Sequence, residues 1–238
     1  MSHSVDQMKS AFELVIFDFD GTLADSFPWL AGELKQLARR WSIRAIEDDD
    51  IEAMRHMSAA DIIRHLGVSS WKVPWIAADL RARMARDIAR IPLFAGVPEM
   101  LDELTAAGAR LAIASSNAEA NVARVLGRRL FQGIEAAECG ASLRGKHLRI
   151  QRLLRRLDVP AEQAVYIGDE VRDIAAARHA GTASVAVSWG YNRLPALRAE
   201  RPDLLLDRVE DIPKALRCPD PISQSRPARQ PASRHRRG

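Results

Sequence analysis

LVIFDFDGTLADS, residues 14–26, decides the fold. An apolar run of strand character ends on Asp18 and Asp20, with Gly21 and Thr22 immediately after. Acid at the end of a buried run is costly unless another group offsets the charge. At i, i+2 the two carboxylates share one side of a strand and can face one cavity as it ends. Further short apolar runs recur downstream: RLAIA (110–114), AVYI (164–167), SVAV (184–187) and DLLL (203–206). Helical patterns separate them. AGVPEMLDELTAAG (95–108) has Pro98 near its start and Gly108 past its end, the usual helix punctuation. Strands alternating with helices imply βαβ units, and so an α/β fold with a Rossmann-like parallel sheet.

The rhythm breaks once. Residues 27–90 read as helices throughout, with amphipathic patterns at 29–41 and 74–91 and a capping serine, Ser58, before 59–66. This predicts a helical module inserted after the first strand. The expected organisation is an α/β core over 1–25 and 91–216, a helical domain over 26–90 and a basic, disordered tail over 217–238. Two chain crossings, near 24–27 and 90–95, would let the module hinge over the first strand's carboxyl end. Trp29, Trp41, Trp71 and Trp75 are expected to pack the module's core and hinge. Arg81, Arg83, Arg86 and Arg90 are expected to form a solvated face.

The chain has 238 residues, 47% of them apolar, enough for a sizeable core. No apolar run is long enough to span a membrane, and two cysteines, Cys139 and Cys218, lack metal-ligand spacing. A cytoplasmic protein is expected. The formal charge is +4, but the tail carries six arginines against one aspartate, so residues 1–216 net to −1. Basicity is a property of the tail, and nucleic acid is expected to bind, if at all, only there.

Sites in parallel α/β sheets form at the carboxyl ends of strands. The runs at 14–17, 110–114 and 164–167 deliver Asp18 and Asp20; Ser115, Ser116 and Asn117; and Asp169, with Asp173 one helical turn on. Lys146 opens the helix before AVYI. Clustered carboxylates without His or Cys favour a hard cation, and Mg²⁺ suits such a site. A carboxylate can attack phosphorus, a second can move protons, and a cation with a lysine can neutralise the transferring oxygens.

DFDGTLADS, the strand ending in Ser115, Lys146 and GDEVRD (168–173) together resemble, in order and spacing, the four motifs of the haloacid dehalogenase superfamily. The helical insertion resembles its C1 cap. Within the superfamily the chain is most similar to phosphoglycolate-phosphatase-like hydrolases. The resemblance implies a Mg²⁺-dependent phosphatase of a small phosphorylated metabolite. It implies Asp18 as nucleophile and metal ligand, and Asp20 as general acid/base with its backbone carbonyl on the metal. Ser115 and Lys146 would bind the phosphoryl group, with Ser116 and Asn117 beside them. Asp169 would be a metal ligand, and Asp173 would act at the metal or hold the lysine. Arg55, in a turn of the helical module, is a candidate substrate contact. The second aspartate, Asp20, argues for phosphate over halide chemistry. Phe27-Pro28-Trp29 makes the cavity roof more apolar than in many relatives, which weakens the case for phosphoglycolate itself. The assembly is expected to be a monomer or homodimer. A sugar phosphomutase on the same fold and a binding protein using the basic tail stay open at this point.

Overall fold

The computed structural model describes residues 10–140 and 145–217. The tail from Cys218 to Gly238, on which the nucleic-acid expectation falls, lies outside the described residues.

Six parallel strands form one sheet: β1 (Leu14–Phe17), β2 (Arg110–Ala114), β3 (Ala136–Glu138), β4 (Ala164–Gly168), β5 (Ala183–Val187) and β6 (Leu204–Leu206). Their order is β3-β2-β1-β4-β5-β6. β1 is therefore central, between β2 and β4, and all four of its residues are buried. A strand covered on both faces must be apolar along its whole length, which is why LVIF shows no alternation. The strand order reverses beside β1, where α/β sheets open a crevice at the strand ends. Asp18 and Asp20 follow β1 directly into it. β3 had no forerunner among the apolar runs, because AAE carries no large apolar side chain.

Helices α1 (Phe27–Arg40), α2 (Asp48–Met54), α3 (Ala59–His65) and α4 (Val73–Asp87) come next in the chain after β1. The others lie between strands or at the end: α5 (Val97–Ala106), α6 (Glu119–Gln132), α7 (Lys146–Leu157), α8 (Val171–Ala180), α9 (Leu194–Ala199) and α10 (Ile212–Arg217). α5, α6 and α10 pack with Val15, Phe17, Leu111 and Ile113 on one face of the sheet. α7 and α8 pack with Leu14, Ile16, Ala112 and Tyr166 on the other.

α1 to α4 have a small core of their own, centred on Ala38, Ile46, Ile51, Met54 and Leu66. The two chain crossings run side by side. Asp25 donates its backbone N–H to Pro92 O at 2.9 Å, and Phe94 donates to Leu23 O at 3.0 Å. Ser58 caps α3 by accepting from the Asp61 N–H.

Two expectations for this module change. Trp29 and Trp41 are partly buried and donate to Asp87 and Asp79 at 3.0 and 3.1 Å, but Trp71 and Trp75 are 66% and 62% exposed. They precede or open α4, no residue of which is buried, so that helix has no apolar pocket to receive them. Arg83 is not solvated: its side chain is 14% exposed and pairs with Glu33 at 2.8 Å and Asp79 at 3.2 Å, tying α4 to α1. Arg81, Arg86 and Arg90 are exposed.

Candidate active site

The two aspartates that end β1 have unlike surroundings. Asp18 is buried; one carboxylate oxygen accepts the Phe19 N–H at 2.8 Å and the other accepts from Lys146 Nζ at 2.5 Å. Both oxygens are thereby oriented. Asp20 is half-buried and turned toward Asn117, whose Nδ2 lies 3.2 and 3.0 Å from its two oxygens. Desolvation, followed by the neighbouring charge of Asp18, raises Asp20 to about 6, although hydrogen bonds from Asn117 and Ser26 oppose the rise. A carboxyl group raised in this way is suited to carrying a proton in acid/base work.

Lys146 is buried at the first residue of α7 and bridges two carboxylates, Asp18 and Asp173. Burial alone would lower its pKa, but Asp173 and Asp18 outweigh that and hold it above the usual lysine value. The ammonium therefore stays charged. Asp173 shifts upward, because burial disfavours its anion more than Lys146 favours it.

Asp169 is fully buried at the end of β4. Thr22 donates to one of its oxygens at 2.7 Å and the Tyr191 N–H to the other at 2.7 Å. Burial, then the charges of Glu170, Asp173 and Asp18, push its pKa well up. Two glycines make room for it. A Cβ on Gly21, which has φ +78°, or on Gly190 would overlap the Asp169 carboxylate.

The carboxylates of Asp18, Glu170 and Asp173 present oxygens within 4.8 Å of one another, a set that suits a hard divalent cation. The expected ligand set was Asp18, Asp20, Asp169 and Asp173. Glu170 joins Asp18 and Asp173 among the clustered oxygens; the Asp20 side chain, as distinct from the backbone carbonyl expected at a metal, faces Asn117, and the Asp169 oxygens accept from Thr22 and Tyr191. Glu170 follows Asp169 in GDEVRD, so its adjacency was visible but its direction was not.

After β2, Ser115 is buried and its Oγ accepts the Asn117 N–H at 3.1 Å. Asn117 Oδ1 accepts from the Ala118 N–H and from Asn121 Nδ2, both at 2.8 Å, which fixes the amide whose Nδ2 meets Asp20. Ser116 is exposed beside them. These residues thus converge on the strand ends with Asp18, Asp20 and Lys146.

Arg55 is engaged by backbone groups. Its guanidinium donates to the backbone oxygens of Tyr191 at 3.0 Å and Gly190 at 2.5 Å and stacks 4.3 Å from the Phe27 ring centroid. Nearby, the Arg193 N–H and Asn192 Nδ2 both donate to Arg55 O at 2.9 Å, and Arg193 pairs with Glu52 at 2.6 Å. Arg55 therefore fastens the helical module to the loop after β5, whose Tyr191 N–H and Gly190 border Asp169. That loop, with Tyr191 and Asn192, carries no motif and was not among the sequence candidates.

The haloacid dehalogenase-like hydrolase family model matches residues 15–187, most of the described core and all of α1 to α4. The chain belongs to this family. Among curated relatives, the phosphoglycolate phosphatase of Synechococcus elongatus is 31% identical over 205 residues, covering 86% of this chain and 97% of its own. Tyrosine-protein kinase PtkA of Mycobacterium tuberculosis is 30% identical over 185 residues, covering 76% of this chain and 64% of its own. A solved structure from Lactobacillus plantarum, described as a putative phosphoglycolate phosphatase, superposes with a TM-score of 0.75 at 19% identity, covering 85% of this chain and 98% of that one. At that identity the superposition speaks for the fold. No helix among the described residues is long and apolar enough to cross a membrane.

Proposed function

We propose that this haloacid dehalogenase-like hydrolase is a divalent-cation-dependent phosphatase of a small phosphomonoester, acting through an aspartyl-phosphate on Asp18. The observation that carries it is the asymmetry of Asp18 and Asp20. One carboxylate is oriented by the Phe19 N–H and Lys146; the other is held with a proton affinity near 6.

In the first half-reaction an Asp18 oxygen forms a bond to phosphorus as the ester oxygen leaves, and Asp20 gives that oxygen its proton. In the second, Asp20 takes a proton from water, whose oxygen bonds to phosphorus, releasing orthophosphate and the Asp18 carboxylate. Ser115 Oγ accepts from the Asn117 N–H, so its own proton can turn to a phosphoryl oxygen. Lys146 supplies the positive charge those oxygens need. Asp18, Glu170 and Asp173 would hold the cation, with Asp169 as a further ligand, and the Mg²⁺ expected there would neutralise phosphoryl charge. The helices of residues 26–90 act as a cap over the crevice, excluding water for the first half and admitting it for the second. The likeness to the Synechococcus enzyme makes phosphoglycolate the first substrate to try, in a cytoplasmic setting.

Asp18→Asn is the test. It should abolish orthophosphate release from a panel of metabolite phosphomonoesters and aryl phosphates assayed with Mg²⁺, along with acid-quenched labelling of the protein by ³²P-substrate. Full turnover by that variant would end the proposal. Product analysis with hexose phosphates separates water from a sugar hydroxyl as the acceptor.

A further inference from the structure

A cavity of about 370 Å³ lies between the first turn of α7 and one side of α8 from Arg172 to His179, on the face of the sheet opposite α5 and α6. Its polar lining is Ser116, Lys146, His147, Arg149, Arg172 and His179, and no carboxylate is among the lining residues. Two of these cations are already matched: Lys146 by Asp18 and Asp173, and Arg172 by Glu170.

Arg149 is different. It is 4% exposed, its hydrogen bond goes to the Gly140 backbone oxygen, and it forms no ion pair with any described residue. A buried guanidinium cannot shed its proton, so an unmatched one is a standing demand for an anion. The imidazoles of His147 and His179 stand 5.7 Å apart at the same cavity, and His179 Nδ1–H donates to Ala175 O at 2.7 Å. Lys146 and Ser116 belong both to this cavity and to the crevice, so the two are neighbours.

We infer that this cavity is a second oxyanion site, taking a phosphate- or carboxylate-type group with Arg149 as its principal ligand. Two sources share that chemistry. One is orthophosphate, resting there after release from Asp18, in a cavity that none of residues 27–90 lines. The other is a second anionic group on the substrate. Both sources rest on the proposed phosphatase activity, whereas phosphate binding at the cavity itself can be measured without turnover.

The test uses the full chain with inorganic phosphate as probe. Calorimetry should find two phosphates per chain, falling to one in Arg149→Gln. If the site serves the substrate, the ratio of kcat/KM for phosphoglycolate over p-nitrophenyl phosphate falls at least tenfold in the variant. If it serves product, that ratio holds and orthophosphate inhibition weakens at least fivefold. Should Arg149→Gln fail to show the parental circular dichroism and melting point, the rim variant His147→Ala/His179→Ala decides in its place by the same readings. The inference is overturned if a folded variant keeps the phosphate stoichiometry, the inhibition and the substrate ratio of the parent.

Discussion

Asn117→Leu should move the pH dependence of the proton that Asp20 carries. Leucine keeps the volume and the burial but removes the Nδ2 donor. That donor favours the charged form of Asp20, so its loss must raise the carboxyl's pKa from about 6. A hydrogen bond to a charged group contributes about 1.5–3 kcal/mol, and one pKa unit is about 1.4 kcal/mol. The Asn117 Nδ2 is shared among both Asp20 oxygens and Met84 Sδ, so the lower figure applies. The expected rise is about one unit, to about 7. As general acid Asp20 must be protonated, so kcat/KM falls as pH rises through that value. The assay is kcat/KM against pH for an alkyl phosphomonoester, whose leaving alkoxide needs the proton. p-Nitrophenyl phosphate is the internal control, because nitrophenolate leaves unprotonated and its profile should lack the alkaline limb. A bound cation lowers both profiles together, so the displacement between variant and parent is the quantity to read. Coincident profiles, a shift toward acid, or the same limb with both substrates would refute the assignment of that proton to Asp20.

Other consequences can be checked separately. Lys146→Met leaves the buried carboxylates of Asp18 and Asp173 facing each other without a cation; urea unfolding at pH 7 should show a loss of about 3–5 kcal/mol. Gly190→Ala drives a methyl group into the Asp169 carboxylate and should lower stability by about 1–3 kcal/mol, read as a fall in Tm; an unmoved Tm would mean Asp169 is free to step aside. Excess EDTA should stop phosphate release and Mg²⁺ should restore it, whereas turnover persisting in chelator would remove the metal role from the acidic cluster. Burial, aided by the charge of Glu119, pushes the Cys139 thiol up to about 12. In a Cys218→Ser variant, iodoacetamide at pH 8 should therefore leave the protein unalkylated by mass spectrometry over hours.

What could be read from the residues was what local pattern encodes. LVIF is apolar along its whole length because it is central, and its two terminal acids, Lys146 and GDEVRD carry their spacing in the chain itself. Features made by distant parts of the chain were not legible. Three-residue β3 has no apolar run to announce it. Arg83 looked like one more arginine on a charged helix until Glu33, fifty residues earlier, came within 2.8 Å. Trp71 and Trp75 obey the rule that large aromatics are buried only if a partner surface exists, and α4 provides none. Different roles for Asp18 and Asp20 were expected from resemblance. Their unlike surroundings, Lys146 on one and Asn117 on the other, are entirely tertiary.

The loop after β5 serves two masters. Its Tyr191 N–H and Gly190 frame the Asp169 carboxylate, while its carbonyls and Asn192 are held by Arg55 and Met57 of the helical module. Detaching the module releases partners from the same few backbone groups that fix Asp169. The two equilibria are therefore linked, and linkage is reciprocal. A cation that prefers the framed carboxylate must tighten the module's hold on the loop by the same factor by which an attached module tightens the cation.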